Sequence, residues 1–324
     1  MEKERSHSID TLKFICAVLI IFNHVLTPYW TLSLPFTRIA MPCFFMISGY
    51  FIYTKSLNMQ HRLLRSTRRI LKISFWSTLL YISLRIITDG FSNILTWENI
   101  RHLILFNRTD FFGLHLWYLF AYLYTLIVMM FVNRYNLWKA CFCAIPILLV
   151  GELILDKYSL LIFGRLFKGY YTRNFLFMGI PFFAIGCLIK KYWNKLHTIR
   201  RKSAITTVIL LTILLCVEIL MLKINGLDIS GDLYITTIPL TAAILLTTLV
   251  TRQAKPNLWS KLGAEYSLYI YVFHLAVRDI LADININFMP EIWTDKIYAY
   301  ISPFVILLCT IALTYALKKV RIIS

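Results

Sequence analysis

The sequence predicts an all-α integral membrane protein, a polytopic helical bundle of about ten transmembrane helices with both termini in the cytoplasm. Of the 324 residues, 59% are hydrophobic and 15% are charged, whereas soluble domains are roughly 45–50% apolar and about 25% charged. Apolar segments of the roughly 17–25 residues that cross a bilayer recur along the whole chain. Runs such as Ile205–Leu222 are almost continuously apolar, which favours helices over the alternating strands of a membrane β-barrel.

The predicted spans follow one another without a soluble domain, a long linker or a repeat of fixed period, so residues 1–324 are predicted to form one membrane domain. No small-residue cleavage site follows the first apolar segment, which is therefore expected to stay as a helix rather than to be removed as a signal peptide. The spans are placed at residues 10–28, 35–53, 70–88, 116–132, 140–155, 175–189, 203–222, 233–250, 266–282 and 297–317.

The net charge of +18 follows the predicted topology. About 22 of the 34 Lys and Arg residues lie in the N-terminal segment and in alternate connections, which the positive-inside rule places in the cytoplasm. Topology thus explains the charge without a nucleic-acid partner. Residues 61–72 and 190–202 are especially basic, and either anionic lipid headgroups or a phosphorylated cosubstrate would suit them.

The cysteines indicate neither a disulfide nor a metal site. All seven fall in or near apolar spans, where they pack as small hydrophobic side chains. Cys141 and Cys143 lack the spacing and the nearby histidines of a zinc site. We therefore predict no bound metal.

A histidine in the first span gives the strongest functional signal. Ionisable side chains inside a membrane are costly and usually face the bundle interior or an aqueous cavity. Asp10 and His24 are about 21 Å apart along a helix and share one stripe, which Lys13 borders. We expect His24 in the outward half of the span and Asp10 and Lys13 near the cytoplasm. A neutral histidine bonded between helices is the structural alternative, and an interhelical hydrogen bond is expected for Asn23.

Four arginines precede the third span. If its helix begins early, Arg62, Arg65 and Arg69 lie on one face and Arg68 adjoins them. Guanidinium groups bind phosphates bidentately. The cluster therefore predicts a cytosolic ligand that carries a diphosphate.

Three further residues are candidates for contacts with a substrate. Ser48 lies in a helix that Pro42 can kink, which suits either a cavity wall or close helix packing. His115 and Trp117 begin the fourth span on the outer side, where an aromatic belt equally explains Trp117.

The ninth span adds Tyr271 and His274. His274 and Arg278 are four residues apart, so they share a helix face and could line an aqueous path. A structural polar contact is an equal explanation for His274.

Two outer segments are notable for their amphipathic character. Residues 92–106 are predicted to form an interfacial helix. Residues 156–174 mix cations with Tyr158, Tyr170 and Tyr171, which suits either a sugar ring or a lipid headgroup.

Six segments in order resemble those of the bacterial acyltransferase-3 family of membrane acyltransferases, over about residues 8–315. They are SIDTLKFICAVLIIFNHV, RIAMPCFFMISGYFI, the arginine-rich connection, LHLWYLFAYL, FLFMGIPFFAIGCLI and YSLYIYVFHL. In that family the first helix typically carries Asp, then Arg three residues later, and farther along an essential His. Asp10 and His24 match this pattern, and Lys13 stands where the family has Arg.

The family also has paired arginines at the inner start of the third helix. Arg65 and Arg68 match this pair, with Arg69 as an alternative register. A proline often follows the pair, whereas this chain has Lys72 near that position.

The resemblance implies transfer of an acyl group, usually acetyl, from cytosolic acetyl-CoA to a hydroxyl of an extracytoplasmic or lipid-linked glycan, in a bacterial cell membrane and without a metal. Catalysis is expected from His24, as general base or transient acyl carrier, together with Asp10. The residues expected to bind acyl-CoA are Lys13, Arg65, Arg68 and Arg69. Two alternatives stay open: a small-solute transporter related to the membrane portion of vancomycin-resistance serine racemases, and a non-catalytic component of a polysaccharide-export complex.

Overall fold

A computed structural model describes residues 6–54, 58–89, 96–227, 231–251, 255–288 and 296–320, most of which are helical. The α-helices are α1 (His7–His24), α2 (Trp30–Thr37), α3 (Ala40–Ile52), α4 (Asn58–Asp89), α5 (Trp97–Phe106), α6 (Trp117–Arg134), α7 (Trp138–Leu155), α8 (Ser159–Phe163), α9 (Ile180–Lys191), α10 (Trp193–Leu196), α11 (Arg201–Ile224), α12 (Thr237–Val250), α13 (Leu258–Glu265), α14 (Ser267–Phe288) and α15 (Lys296–Lys319). A π-helical turn at Phe175–Gly179 leads into α9.

The predicted helical membrane architecture is confirmed. Among the described residues, six helices are long and apolar enough to cross a membrane, and α12 is a shorter apolar helix. The six are Trp30–Ile52, Asn58–Thr88, Leu114–Arg134, Trp138–Leu155, Arg201–Ile224 and Tyr298–Lys319. The predicted total of ten spans stays a prediction.

The structure moves two predicted boundaries. The first helix ends at His24 because Val25 is extended, with φ −114° and ψ 116°, so residues 25–28 are not part of it. The third span begins twelve residues early, at Asn58 rather than at residue 70. Arginine is a good helix former, so the basic segment continues the helix beyond the apolar stretch.

The segment predicted to form an interfacial helix contains the helix α5, and its place at the membrane surface stays a prediction; residues 92–95 of that segment lie outside the described residues. Thr96 caps the helix, because its hydroxyl accepts the Asn99 N–H at 3.2 Å and satisfies a backbone donor of the first turn. Trp97 and Ile104 are exposed, as expected for a helix that lies on a membrane surface.

The chain divides into two compact units, each described by itself. The first comprises Met1–Ala40 and Thr248–Ser324, and the second comprises Met41–Thr247. The single domain predicted for residues 1–324 stays a prediction.

In the first unit, α1 packs against α13, α14 and α15. Phe14, Ala17 and Ile270 are core residues of this packing. Gly263 allows the closest approach, since a Cβ atom there would lie 1.7 Å from the Asp10 carbonyl oxygen. The backbones of α1 and α13 are therefore in direct contact.

In the second unit, two glycines join α3 to α9. A Cβ atom at Gly49 would lie 2.0 Å from the Phe183 carbonyl oxygen, and one at Gly186 would lie 2.0 Å from the Met46 carbonyl oxygen. Small residues that let helix backbones approach closely are typical of helix pairs in membranes.

We predict that Gly186→Ala destabilises the second unit by roughly 3 kcal/mol, because the added methyl group meets backbone that cannot move alone. Gly151→Ala is the matched control, since its Cβ would meet the Phe177 ring edge at 2.9 Å, and a side chain can shift. Thermal unfolding of both variants in detergent measures the difference, and equal midpoints would contradict the prediction.

Candidate functional site

Two histidine rings lie together in the first unit. His24 is the last residue of α1 and is half-buried, whereas His274 in α14 is fully buried. Their ring centroids are 5.4 Å apart and their planes are inclined by 41°. The structure therefore brings together two residues that the sequence analysis selected separately.

The backbone of α14 fixes the tautomer of His274. Its Nδ1 atom lies 3.1 Å from the Ile270 carbonyl oxygen and 2.8 Å from that of Tyr271. Carbonyl oxygens only accept hydrogen bonds, so Nδ1 carries the proton and Nε2 is the basic nitrogen of the neutral ring.

Arg278 anchors the end of α1. One guanidinium N–H donates to the His24 carbonyl oxygen at 3.0 Å. The same side chain donates to Asp279 Oδ1 through Nε at 2.8 Å and through Nη2 at 2.6 Å. A cation at a helix C-terminus interacts favourably with the helix dipole, so Arg278 stabilises the helix end that presents His24.

Asn23 links α1 to α2. Its Oδ1 atom accepts a hydrogen bond from the Thr37 hydroxyl at 3.0 Å, and its carbonyl oxygen accepts one from Trp30 Nε1 at 3.2 Å. The interhelical hydrogen bond predicted for Asn23 is confirmed, and it holds the segment that follows His24.

Asp10 and Lys13 lie at the other end of α1. The Lys13 ammonium donates to Asp10 Oδ1 at 3.0 Å, and Asp10 is buried. Fourteen residues of α-helix place Asp10 about 21 Å from His24 along the axis. The structure therefore brings Asp10 together with Lys13, and its distance from His24 excludes a direct contact between those two side chains.

The arginine cluster lies on the first turns of α4, in the second unit. The early start of this helix, on which the predicted common face depended, is confirmed. Arg65, Arg68 and Arg69 are exposed, while Arg62 is half-buried and donates to the Phe51 carbonyl oxygen at 3.4 Å. Three guanidinium groups are thus accessible to an anionic ligand.

The other residues selected from the sequence have varied surroundings. Ser48 donates to the Phe44 carbonyl oxygen at 2.9 Å, one turn back in its own helix. His115 is fully buried, with its ring 4.8 Å from that of Tyr81. Tyr271 is buried and contacts the His274 ring at 6.4 Å between centroids. Trp117, at the start of α6, lines a cavity.

This cavity, which we call the loop cavity, has a volume of about 330 Å³ and lies within the second unit. The residues around it include Asn107, Arg108, Trp117, Asp156, Tyr170 and Arg173. Tyr170 is one of the loop tyrosines noted in the sequence. Tyr158, by contrast, donates to Glu218.

Ion pairs order the walls of the loop cavity. Arg173 binds both carboxylate oxygens of Asp232, at 2.6 and 2.9 Å, and the charge of Asp232 raises the pKa of Arg173. Burial, and next the charge of Asp232, raise the pKa of Asp156. Arg108 pairs with Asp110 at 2.7 Å, and this hydrogen bond raises the pKa of Arg108.

The sequence analysis did not select Glu152. It lies in α7, is fully buried, and neither carboxylate oxygen has a hydrogen-bond partner among the described residues. Glu152 is a single acidic residue within an otherwise apolar span, and the sequence analysis could have selected it on that ground.

The fold and these polar groups define the class of the protein: a helical membrane protein with ionisable residues inside its bundle. The chain belongs to the acyltransferase-3 family, because the model of that family, described as an acyltransferase domain, matches residues 6–318. The family resemblance inferred from the sequence motifs is confirmed.

Curated relatives are longer than this chain. It is 29% identical over 214 residues to an amino-acid racemase of Enterococcus faecalis, covering 60% of this chain and 30% of that protein. It is 24% identical over 293 residues to a serine/alanine racemase of Enterococcus gallinarum, covering 83% of this chain and 40% of that protein. The chain thus spans less than half the length of these relatives. No solved structure matches it.

We predict that Asp232→Asn destabilises the protein by roughly 2 kcal/mol, because it leaves the Arg173 charge without its carboxylate. The estimate is below that for a fully buried pair, since the Arg173 side chain is 30% exposed. Asp110→Asn is the control, because that carboxylate is 40% exposed. Chemical unfolding in detergent compares the two, and the prediction fails if Asp110→Asn costs as much.

Proposed function

We propose that this protein is a membrane O-acyltransferase that moves an acetyl group from cytosolic acetyl-CoA to a hydroxyl of an extracytoplasmic or lipid-linked glycan. Membership of the acyltransferase-3 family supports acyl transfer. The observation that carries the proposal is the pairing of His24, in the family's position, with the His274 ring. The protein crosses a bacterial cell membrane ten times, and both termini are cytoplasmic.

In this mechanism His24 activates the acceptor. The acceptor hydroxyl attacks the thioester carbonyl carbon, and the imidazole removes the hydroxyl proton. The carbon–sulfur bond then breaks, and the proton passes to the departing CoA thiolate. Imidazole suits this role because it titrates near neutral pH. As the alternative, an imidazole nitrogen attacks the thioester carbonyl carbon, the carbon–sulfur bond breaks and CoA leaves as the thiolate. The acyl-imidazole then passes the acyl group to the acceptor hydroxyl, its nitrogen–carbon bond breaks, and the hydroxyl proton goes to the thiolate.

His274 and Arg278 support His24 in this proposal. The Nδ1–H tautomer of His274 directs its basic Nε2 away from the backbone carbonyls that hold Nδ1. Arg278 holds the end of α1, so the His24 ring stays in position between the acceptor and the thioester. Asp10 acts as a positioning residue through Lys13, its ion-pair partner.

The exposed arginines of α4 bind the phosphates of CoA. Guanidinium groups form bidentate hydrogen bonds with phosphate oxygens, and Arg65, Arg68 and Arg69 are accessible. Lys13 is assigned to the cosubstrate by the sequence pattern alone. The expected acceptor contacts are Ser48, His115, Trp117, Tyr271 and His274.

We predict that His24→Ala lowers glycan acetylation roughly 100-fold or more, since general-base catalysis typically contributes at least this factor. Mass spectrometry of surface glycans from cells that express each variant measures the loss of one acetyl group per site. His197→Ala, which changes an exposed histidine, is the control. Normal acetylation by His24→Ala at equal protein abundance would remove His24 from catalysis.

We also predict that Arg65→Gln with Arg68→Gln raises the KM for acetyl-CoA about tenfold or more, since each charge-assisted bond is worth roughly 1.5–3 kcal/mol. The KM for S-acetyl-pantetheine, which has no phosphate, should not change. Arg200→Gln is the control, because it changes an exposed arginine in the other basic segment, residues 190–202. Equal effects on both thioesters would show that the arginines do not bind the phosphates.

Transport is the second candidate, because relatives of this chain carry racemase names and the chain spans only part of them. A transporter of small polar solutes would take up serine or alanine into vesicles that contain no acetyl-CoA. A non-catalytic component of an export complex would neither take up solute nor bind acetyl-CoA. Uptake and CoA binding therefore separate the three functions.

A further inference from the structure

The loop cavity is lined by a carboxylate that forms no ion pair among the described residues. This carboxylate is Asp156, whose Oδ2 atom accepts the Asp232 N–H at 2.5 Å. Glu152 lies one helical turn before Asp156, whose N–H donates to the Glu152 carbonyl oxygen at 2.9 Å. Burying carboxylates in this way is costly unless a cation or a proton compensates them.

The cations that line the cavity are already engaged. Arg173 forms its bidentate pair with Asp232, and Arg108 pairs with Asp110. The Lys157 ammonium donates to the Gly231 carbonyl oxygen at 3.0 Å and lies 3.8 Å from the centre of the Tyr234 ring. Asp156 is therefore the carboxylate that a cationic ligand would meet in the cavity.

Asn107 provides an independent indication of a ligand. It lines the loop cavity, is fully buried, and its Nδ2 donor has no hydrogen-bond partner among the described residues. Its Oδ1 atom accepts the Phe175 N–H at 3.1 Å, which fixes the orientation of the amide. Buried donors are rarely left unsatisfied, so the cavity offers a donor that an oxygen of a ligand would accept.

The size and the walls of the cavity suit a sugar ring. About 330 Å³ falls at the lower end of the range for small-molecule sites. Trp117 and Tyr170 add aromatic surface to a wall that is otherwise rich in charged and amide groups. Sugar rings present both apolar C–H faces and hydroxyl groups, and this wall complements both.

We propose that the loop cavity binds a hexosamine, a sugar ring with a free, protonated amino group. The ammonium group pairs with Asp156, with Glu152 behind it, and a sugar oxygen accepts the Asn107 Nδ2 hydrogen. This is a binding site in its own right and holds whether or not the chain transfers acyl groups.

The test measures binding to the purified full chain in detergent without any acyl donor. Isothermal titration compares glucosamine, N-acetylglucosamine and glucose at neutral pH, where most of the free amine is protonated and Asp156 is more ionised than in acid. Glucosamine should bind about tenfold more tightly than the other two sugars, because only it forms a charge-assisted bond. Equal binding of the three sugars, or no binding, overturns the proposal, as does ethanolamine binding as tightly as glucosamine.

Variants test which carboxylate confers the preference. Asp156→Asn should reduce glucosamine binding to the level of glucose and leave glucose binding unchanged. Glu265→Gln, which changes an exposed carboxylate outside the cavity, should keep the full preference. If Asp156→Asn does not fold, Glu152→Gln is judged by the same criterion, since that carboxylate has no hydrogen bond to lose. A preference that survives in the variant overturns the proposal.

Discussion

The contact between Gly263 and the backbone of α1 determines where the first helix lies in its unit. At this point the space for a side chain is filled by the Asp10 carbonyl oxygen and, at 3.0 Å, by the Phe14 nitrogen. An α-helix is stiff over 18 residues, so a fixed inner end also constrains the outer end. Arg278 and Thr37 then hold the last turn, and the position of the His24 ring follows from all three contacts.

The sequence was sufficient to predict the helical membrane class and most of the helices, because apolar periodicity and length decide them locally. The order of its motifs was sufficient to identify the family. The sequence also predicted the interhelical hydrogen bond of Asn23 correctly, and it selected His24, whose role stays a prediction, since polar side chains are rare in such helices. The end of α1 at His24 was not predictable from composition. Pro28 explains the position afterwards, since it lacks the N–H that would bond the His24 carbonyl oxygen four residues back and its ring would clash with that carbonyl group; Arg278 donates to this oxygen instead.

Contacts between distant parts of the chain were also beyond the sequence. Helical spacing placed His274 and Arg278 on one face, but only the fold shows that Arg278 binds the carbonyl oxygen of His24. The separation of about 21 Å expected between Asp10 and His24 follows from the helix rise alone, whereas the partners that surround each of them follow only from the fold. Arg173 pairs with Asp232, 59 positions away along the chain. Sequence periodicity relates residues only a few positions apart, so it could not predict this pair.

The length of α4 has a consequence for the arginines at its start. Its 32 residues extend about 48 Å, while the hydrocarbon core is about 30 Å thick. A membrane-crossing α4 would therefore leave roughly three turns outside the hydrocarbon, and the apolar stretch that follows Lys72 puts the arginines on those turns. A thicker or thinner bilayer would cover more or less of the helix, so lipid composition would set the height of the arginines above the membrane surface.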